Sequence, residues 1–443
     1  MRILHYSLGF PPYGSGGLTK FCIDLIREQK KTGHKVFLLW PGRMSFLRKN
    51  TRIIRGKDID GIGNLELADP LPVPFDEGIS DFDSFTAEGD KSVFERFLAV
   101  LKPDVIHIHT FMGLPRSFLD AARERGIRLV FTAHDFYPIC PKVTLFRNGG
   151  ICGTAESCAE CGQCNSTALS LKKIMLLQSP AYRALKDSAP VRALRKRHRD
   201  SYLSDAEPQG SAAPVGTAAD FRALREYYAG MLSLVDMIHY NSTVTKAVYE
   251  QFFGASESKV ISISHSDIRD RRRLRYYRNG RLRIRYLGSC SAAKGYYLLR
   301  EALDELWRQR QDLRLDVHFE VKDPPPYLRM HPRYGYKDLE YIFDRTDVLV
   351  APSILYETFG YTVLEALSFG VPVVISGTVG ARDILADGAG IITEDNSVGS
   401  LLRALQSLDA AKLNSMNRRI VDAVSIPTAA DMAETITEKV YGK

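Results

Sequence analysis

The stretch Ala351-Pro-Ser-Ile-Leu-Tyr-Glu-Thr-Phe-Gly-Tyr-Thr-Val-Leu-Glu-Ala-Leu-Ser-Phe-Gly-Val-Pro-Val-Val-Ile375 reads as a strand end, a loop, a helix, a glycine stop and a second strand. A helix starting near Phe359 leaves the N–H groups of Gly360, Tyr361 and Thr362 without intrahelical partners, and the helix dipole adds positive potential there. Such an end is a cradle for a diphosphate. Glu357 stands just before the helix and Glu365 inside it, roughly 8 to 9 Å further along at about 1.5 Å per residue. Carboxylates flanking a phosphate site can accept hydroxyl protons from a sugar on one side and a ribose on the other; two solvated glutamates beside a surface helix are the plain alternative.

Working outward, Ile284 to Leu287, Leu315 to Val321, Val348 to Ala351 and Val373 to Ile375 form a strand series in the second half of the chain. The first half has its own: Arg2 to Ser7, Val36 to Trp40, Val105 to His109 and Leu129 to Ala133, with a helical stretch from Thr19 to Thr32 and Gly33 as its stop. The pattern implies an α/β fold with two Rossmann-like, doubly wound parallel-sheet domains. Boundaries are placed at 1–238 for the first domain and 239–425 for the second, with a C-terminal helix at 426–443 packing back toward the first. A helical insertion at about 165–220 interrupts the first domain, and a further helix spans about Phe221 to Val235.

Glu357 and Glu365, with Phe359-Gly360 and Gly370-Val371-Pro372-Val373-Val374, resemble the E-x7-E signature of glycosyltransferase family 4, whose members have the GT-B fold. Gly380 and Ile384-Leu-Ala-Asp-Gly388 fit the same pattern. The resemblance implies that Glu357 meets the donor sugar and Glu365 the ribose, with Phe359, Gly360, Tyr361 and Thr362 around the diphosphate. Tyr286-Leu-Gly-Ser289 followed by Lys294-Gly295 is similar to the family's phosphate-binding loop. Lys294 is therefore the expected phosphate ligand, a compact ammonium beside a departing diphosphate. Ser289 stands where many relatives carry an arginine. Tyr334, Gly335 and Tyr336 are the candidates for base recognition.

On the other side of the expected cleft, Pro11-Pro-Tyr-Gly-Ser-Gly-Gly17 follows the first strand, and Gly16 and Gly17 would let backbone approach a ligand closely. With Gly33-His-Lys-Val36 this resembles the family's opening segment, next to the donor diphosphate. Two strands end in histidine, Pro103-Asp-Val-Ile-His-Ile-His109 and Phe131-Thr-Ala-His-Asp135, at the edge where open α/β sheets place their sites. The resemblance puts His134 beside the transferred sugar, where imidazole can bond a hydroxyl. His109 and Asp135 are acceptor-side candidates, a buried structural histidine being the competing reading.

By resemblance the reaction retains anomeric configuration through front-face attack, with the leaving diphosphate assisting deprotonation of the acceptor. The co-substrate is a nucleotide-diphosphate sugar, the acceptor a glycan or lipid-linked species of bacterial surface polysaccharide assembly, and no catalytic metal is expected. Asp58-Ile-Asp60 and Asp81-Phe-Asp83 have manganese-motif spacing but fall in a segment read as a variable loop.

Of seven cysteines, five lie between Cys140 and Cys164. The Cys158-x2-Cys161 spacing suits tetrahedral zinc, with Cys140, Cys152, Cys158 and Cys161 the preferred ligands and Cys164 an alternative; an iron–sulfur cluster or free thiols are the other readings. Such a knuckle would be structural. Hydrophobic residues make up 45% and charged residues 25% of the chain, and no run of about 18 uncharged apolar residues occurs. A cytoplasmic location is expected.

The net charge is +8, with an arginine concentration from Arg269 to Arg285, which favours anionic partners; no nucleic-acid motif accompanies it. Leu171 to Leu203 mixes apolar residues with Lys172, Lys173, Arg195 and Arg197, so peripheral contact with an anionic membrane is weighed against ordinary packing. A nucleotide-sugar epimerase of the same fold and a non-catalytic glycan-binding scaffold are the competing functions.

Overall fold

The computed structural model describes residues 1–11, 16–45, 50–74, 77–185, 188–189, 191, 213–278 and 280–442. Its strands are β1 Arg2–Tyr6, β2 Lys35–Pro41, β3 Arg52–Arg55, β4 Gly63–Ala68, β5 Val105–Ile108, β6 Arg128–Ala133, β7 Phe146–Arg147, β8 Gly150–Ile151, β9 Met237–Tyr240 and β10 Ser258–Val260 in the first half. The second half contributes β11 Leu282–Arg285, β12 Leu313–Val317, β13 Leu328–Met330, β14 Val348–Ala351, β15 Val373–Ile375 and β16 Gly390–Ile392.

An eight-stranded sheet runs β10-β9-β6-β5-β1-β2-β4-β3, and a six-stranded sheet runs β13-β12-β11-β14-β15-β16. Every pairing in the second is parallel, and in the first only β3 runs antiparallel to its neighbour. The central strands are buried on both faces, as β5 (Val-Ile-His-Ile) and β15 (Val-Val-Ile) show, because helices cover each side. The strand order reverses between β1 and β5 in one sheet and between β11 and β14 in the other. Loops leaving those strand ends diverge there and open a crevice.

Two sequence expectations change. The first sheet does not stop at residue 238: β9 pairs with β6, and β10 with β9, so this unit continues through Val260. Ser258-Lys-Val260 is a short, largely exposed edge strand with little apolar signal. The segment read as a variable loop carries β3 and β4, with Asp60 in the turn between them at φ 53° and paired with Arg27. Asp81 accepts from the Ser84 N–H as the cap of helix Phe82–Thr86.

Helix Ala218–Leu232 opens with a capping box in which Thr217 and Asp220 satisfy each other's backbone N–H groups. The helix Ala429–Lys439 lies against helix Gly17–Lys31 of the first unit. Beyond it, the Val440 carbonyl accepts from Arg128 at 3.0 Å. One hydrophobic cluster joins the units, combining Ile3, Phe21 and Leu25 with Phe359, Val363, Met432 and Ile436. In helix Leu171–Leu177, Ile174 and Met175 are buried in the core of the first unit while Lys172 and Lys173 face water. Two of the apolar residues of the membrane reading are thus committed to packing; Leu194, Arg195 and Arg197 lie outside the described residues. Among the described residues no helix is long and apolar enough to cross a membrane.

Candidate active site

Lys294 and Glu357 leave the ends of β11 and β14, where the second sheet reverses. Gly295, at φ 73°, turns the first loop so tightly that a Cβ there would stand 1.8 Å from the Pro352 carbonyl oxygen. Only glycine permits that approach. It brings the Lys294 ammonium to 2.7 Å from Glu357 Oε1, which also accepts from the Ser353 hydroxyl at 2.5 Å. Burial pushes the Glu357 carboxyl up, but the Lys294 charge and the hydrogen bonds from Lys294 and Ser353 outweigh it and hold the group below its ordinary value. The carboxylate is ionised and aimed at a cation. Ser289, in the same loop, has its hydroxyl 3.0 Å from that of Ser291.

The helix after Glu357 starts at Tyr361, two residues later than the sequence suggested, and runs to Ser368. Gly360 at φ 104° is the reason: the backbone bends there before the first turn. Tyr361 and Thr362 precede the first helical bond, in which the Val363 N–H meets the Gly360 carbonyl at 3.1 Å. Phe359 is corrected as a donor contact through its side chain, which is 2% exposed and packs in the inter-unit core.

Glu365 is almost fully buried, its Oε1 3.2 Å from His265 Nε2. Sequence reasoning did not single out His265. Tyr336 covers His265 with ring centres 4.8 Å apart, and Tyr334 packs edge-on to His318 at 4.7 Å. Gly335 donates its N–H to Asp338, shaping the turn between the two tyrosines. Lys20, on the first unit's opening helix, sits over the Tyr336 ring at 5.1 Å and pairs with Asp267 at 2.8 Å, tying the units together.

From the first unit, Gly17 approaches the donor helix: a Cβ on it would lie 3.6 Å from the Tyr361 ring. Gly16, at φ 103°, turns the chain into that helix, while 12–15 lie outside the described residues. The His134 carbonyl accepts from the Thr358 hydroxyl at 3.0 Å, placing His134 against the Glu357 loop. Asp135 serves the local fold, its Oδ1 taking the Tyr137 N–H and its carbonyl the Tyr249 hydroxyl.

Behind His134 lies a network that spacing alone did not reveal. His109 is buried, 3.1 Å from His134 and 3.0 Å from His5; His107 lies two residues before it in β5, and His239 in β9. Desolvation drives the pKa of His107, His109 and His134 well down, that of His5 to about 3 and that of His239 to about 4. The imidazoles are neutral. Each of β1, β5 and β9 is an apolar run broken by one buried histidine, the signal that could have marked them.

Cys140, Cys152, Cys161 and Cys164 line one small pocket with Arg225, but no three of the cysteine sulfurs converge within 4.8 Å among the described residues. Cys158 and Cys161 share a hydrogen bond, and that bond with the Arg225 guanidinium, 3.2 Å away, lowers the Cys158 thiol to about 6 against the opposing effect of burial. Burial raises Cys140 to about 11. Among the described residues, the one group of three or more ligand-type side chains converging within 4.8 Å is His5, His107 and His109. The zinc knuckle expected from spacing therefore lacks the geometry of a closed tetrahedral site.

Two parallel-sheet units facing each other, with a cation, a carboxylate and a helix N-terminus at the switch point of the second, define a glycosyltransferase of GT-B architecture. A model described as "Glycosyl transferases group 1" matches residues 325–422, and one described as "Glycosyltransferase Family 4" matches residues 15–151. The chain belongs to glycosyltransferase family 4. The O-antigen chain mannosyltransferase B of Escherichia coli is 40% identical over 73 residues, which is 16% of this chain and 19% of that protein. The matched stretch is thus about a fifth of that relative's length.

Among solved structures, the Anabaena protein HepE in complex with UDP superposes with a TM-score of 0.57 at 12% identity, covering 99% of both chains. An α,α-trehalose-phosphate synthase from Burkholderia xenovorans, in complex with glucose-6-phosphate, gives 0.56 at 13% identity and covers all of both chains. These likenesses establish the shared fold.

Proposed function

We propose that this chain is a retaining transferase that moves a hexose from a nucleotide-diphosphate sugar to a glycan or lipid-linked acceptor in bacterial surface polysaccharide assembly. The observation that carries the reading is the Lys294–Glu357 pair at 2.7 Å, at the switch point and beside the start of helix Tyr361–Ser368. Lys294 and the helix N-terminus together offer positive charge to a departing diphosphate. Glu357, ionised and held on Lys294 and Ser353, is placed to accept hydroxyl protons from the donor sugar. Glu365 takes the ribose and Tyr336 flanks the base, with His134 on the sugar's other side.

In this reading catalysis rests on positioning and on charge stabilisation. The acceptor hydroxyl attacks the anomeric carbon on the face the diphosphate leaves, and its proton passes to a diphosphate oxygen as the glycosidic bond forms. The mannosyl specificity in the name of the Escherichia coli relative makes GDP-mannose the first donor to try, and HepE, also solved with UDP-glucose, makes that the second. The chain acts at the membrane surface where a lipid-linked acceptor resides, with Lys172 and Lys173 exposed on that face of the insertion.

Purified protein is offered UDP-, GDP- and ADP-sugars and scored for thermal stabilisation and slow donor hydrolysis, with Glu357→Ala and Lys294→Ala alongside. Stabilisation and hydrolysis by one donor, lost in both variants, is the expected result. A donor that stabilises both variants as well as the parent would place the site elsewhere, and silence across the panel would favour a scaffold.

A further inference from the structure

The histidines behind the cleft belong to one series of hydrogen bonds that crosses the first sheet, with one side contact from the Gln29 amide to the Thr437 hydroxyl at 3.5 Å. His134 Nε2 lies 3.1 Å from His109 Nδ1, His109 Nε2 3.0 Å from His5 Nδ1, and His5 Nε2 2.9 Å from Gln29 Oε1. The Gln29 amide nitrogen is 3.0 Å from the Tyr441 hydroxyl, which is 2.7 Å from His107 Nδ1. His107 Nε2 then lies 2.6 Å from Thr132 Oγ1, Thr132 Oγ1 3.0 Å from His239 Nδ1, and His239 Nε2 2.8 Å from the Ile261 carbonyl oxygen.

A carbonyl oxygen only accepts, so His239 carries its proton on Nε2 and its Nδ1 is bare. The one hydroxyl proton of Thr132 must then point at His239, which obliges His107 to donate from Nε2 and to accept at Nδ1. Tyr441 gives its proton to His107 and receives one from the Gln29 amide. That turns the Gln29 oxygen toward His5 and fixes His5, then His109, then His134 as Nε2–H tautomers. Every member is satisfied in this one arrangement with all five imidazoles neutral. Reversal at any point would set two donors or two bare nitrogens against each other in a dry interior, at a cost of about 1–3 kcal/mol. The same accounting leaves His5, His107 and His109 without a spare lone pair for a metal ion, although they converge.

We propose that this series is a polarity relay. The Ile261 carbonyl at one end sets the tautomer of His134 at the other, leaving its Nδ1 bare, so that the cleft histidine accepts a hydrogen bond from a sugar hydroxyl. His109, His5, Gln29 and Tyr441 are its positioning residues. Tyr441, on the C-terminal segment, thereby links the packing of that segment to the chemistry of the cleft. What His134 accepts rests on the transferase reading above; the polarity of the relay does not.

The test is a two-bond proton–nitrogen correlation spectrum of the full chain labelled with 15N-histidine at neutral pH, the His134 signals being assigned by their loss in His134→Gln. A protonated Nε2 and a bare Nδ1 at His134 are expected, and an Nδ1–H or imidazolium form would overturn the proposal. Tyr441→Phe cuts Gln29 from His107 and leaves its amide only the Thr437 hydroxyl, which serves either orientation as acceptor or donor, so an Nδ1–H population should appear at His134. Turnover should fall by about 3- to 10-fold, the worth of one neutral hydrogen bond, with donor KM little changed. Gln29→Glu, which can only accept from His5 while ionised, should keep the parental tautomer. An unchanged His134 spectrum in Tyr441→Phe would show that the relay does not set it. Absence of turnover with any donor, the tautomers being as stated, would remove the transferase reading and leave the relay standing.

Discussion

Removing Lys294 and Glu357, singly and together, tests whether the two behave as one unit. At 2.7 Å their attraction is about 6 kcal/mol before desolvation at an effective dielectric constant near 20. The Lys294 side chain keeps 35% of its exposure and that of Glu357 21%, so water screens the pair and a net coupling of about 1–2 kcal/mol remains. The single variants should differ. Lys294→Ala strands an ionised carboxylate held only by Ser353, costing about 2 kcal/mol, whereas Glu357→Ala leaves an ammonium able to turn toward water, costing about 1 kcal/mol. The double variant should cost less than the sum of the two by the coupling energy. Urea unfolding followed by far-ultraviolet circular dichroism reads all four corners of the cycle. Additivity within about 0.5 kcal/mol would refute a coupled pair.

Acid should unfold the protein early. Four histidines, His5, His107, His109 and His239, are buried and held neutral, His5 down to about 3 and His239 to about 4. Their folded pKa values lie below the unfolded value near 6.5, so the unfolded chain binds more protons below that pH. The stability they contribute is complete above about pH 6.5 and falls by up to about 1.4 kcal/mol per histidine for each unit of pH below it. Urea midpoints measured from pH 7.5 to 5.0 should drop steeply below 6.5, and a flat profile would contradict neutral burial. Gly295→Ala must place a Cβ 1.8 Å from the Pro352 oxygen at a φ of 73°. It should lower stability by at least about 2 kcal/mol, seen as a depressed melting temperature, and an unchanged melt would mean that this loop is not so constrained.

The donor motif was legible because its physics is local: a helix N-terminus, a glycine stop and flanking strands all fall within residues 351–375. Even there, the two-residue error in the helix start arose from Gly360, whose φ of 104° no spacing rule reports. The arginine-rich stretch illustrates the opposite case. Arg272, Arg273 and Arg283 suggested anionic partners, yet they are paired with Asp270, Asp344 and Asp347, a matter of tertiary approach. Cysteine spacing was half informative: Cys140, Cys152, Cys161 and Cys164 do gather around one pocket, but Cys158 pairs with Cys161 and Arg225 and, among the described residues, no three sulfurs come within 4.8 Å, which spacing cannot report. Strands β9 and β10 escaped assignment to the first sheet because a parallel neighbour cannot be inferred from a short run.

The His5–Tyr441 network was least accessible, because it joins the first strand to the last residues of the chain through Gln29. Each histidine looked like an interruption of an apolar strand. Their common role emerges only when β1, β5, β6 and β9 lie side by side.

The most direct test of retaining transfer is to follow hydrolysis of the preferred α-linked donor by proton nuclear magnetic resonance from the first minutes, before the free sugar mutarotates, with Lys294→Ala in parallel. The α-anomer should appear first together with nucleoside diphosphate, and both should vanish in the variant; a β-anomer appearing first, or release undiminished in the variant, would contradict the account.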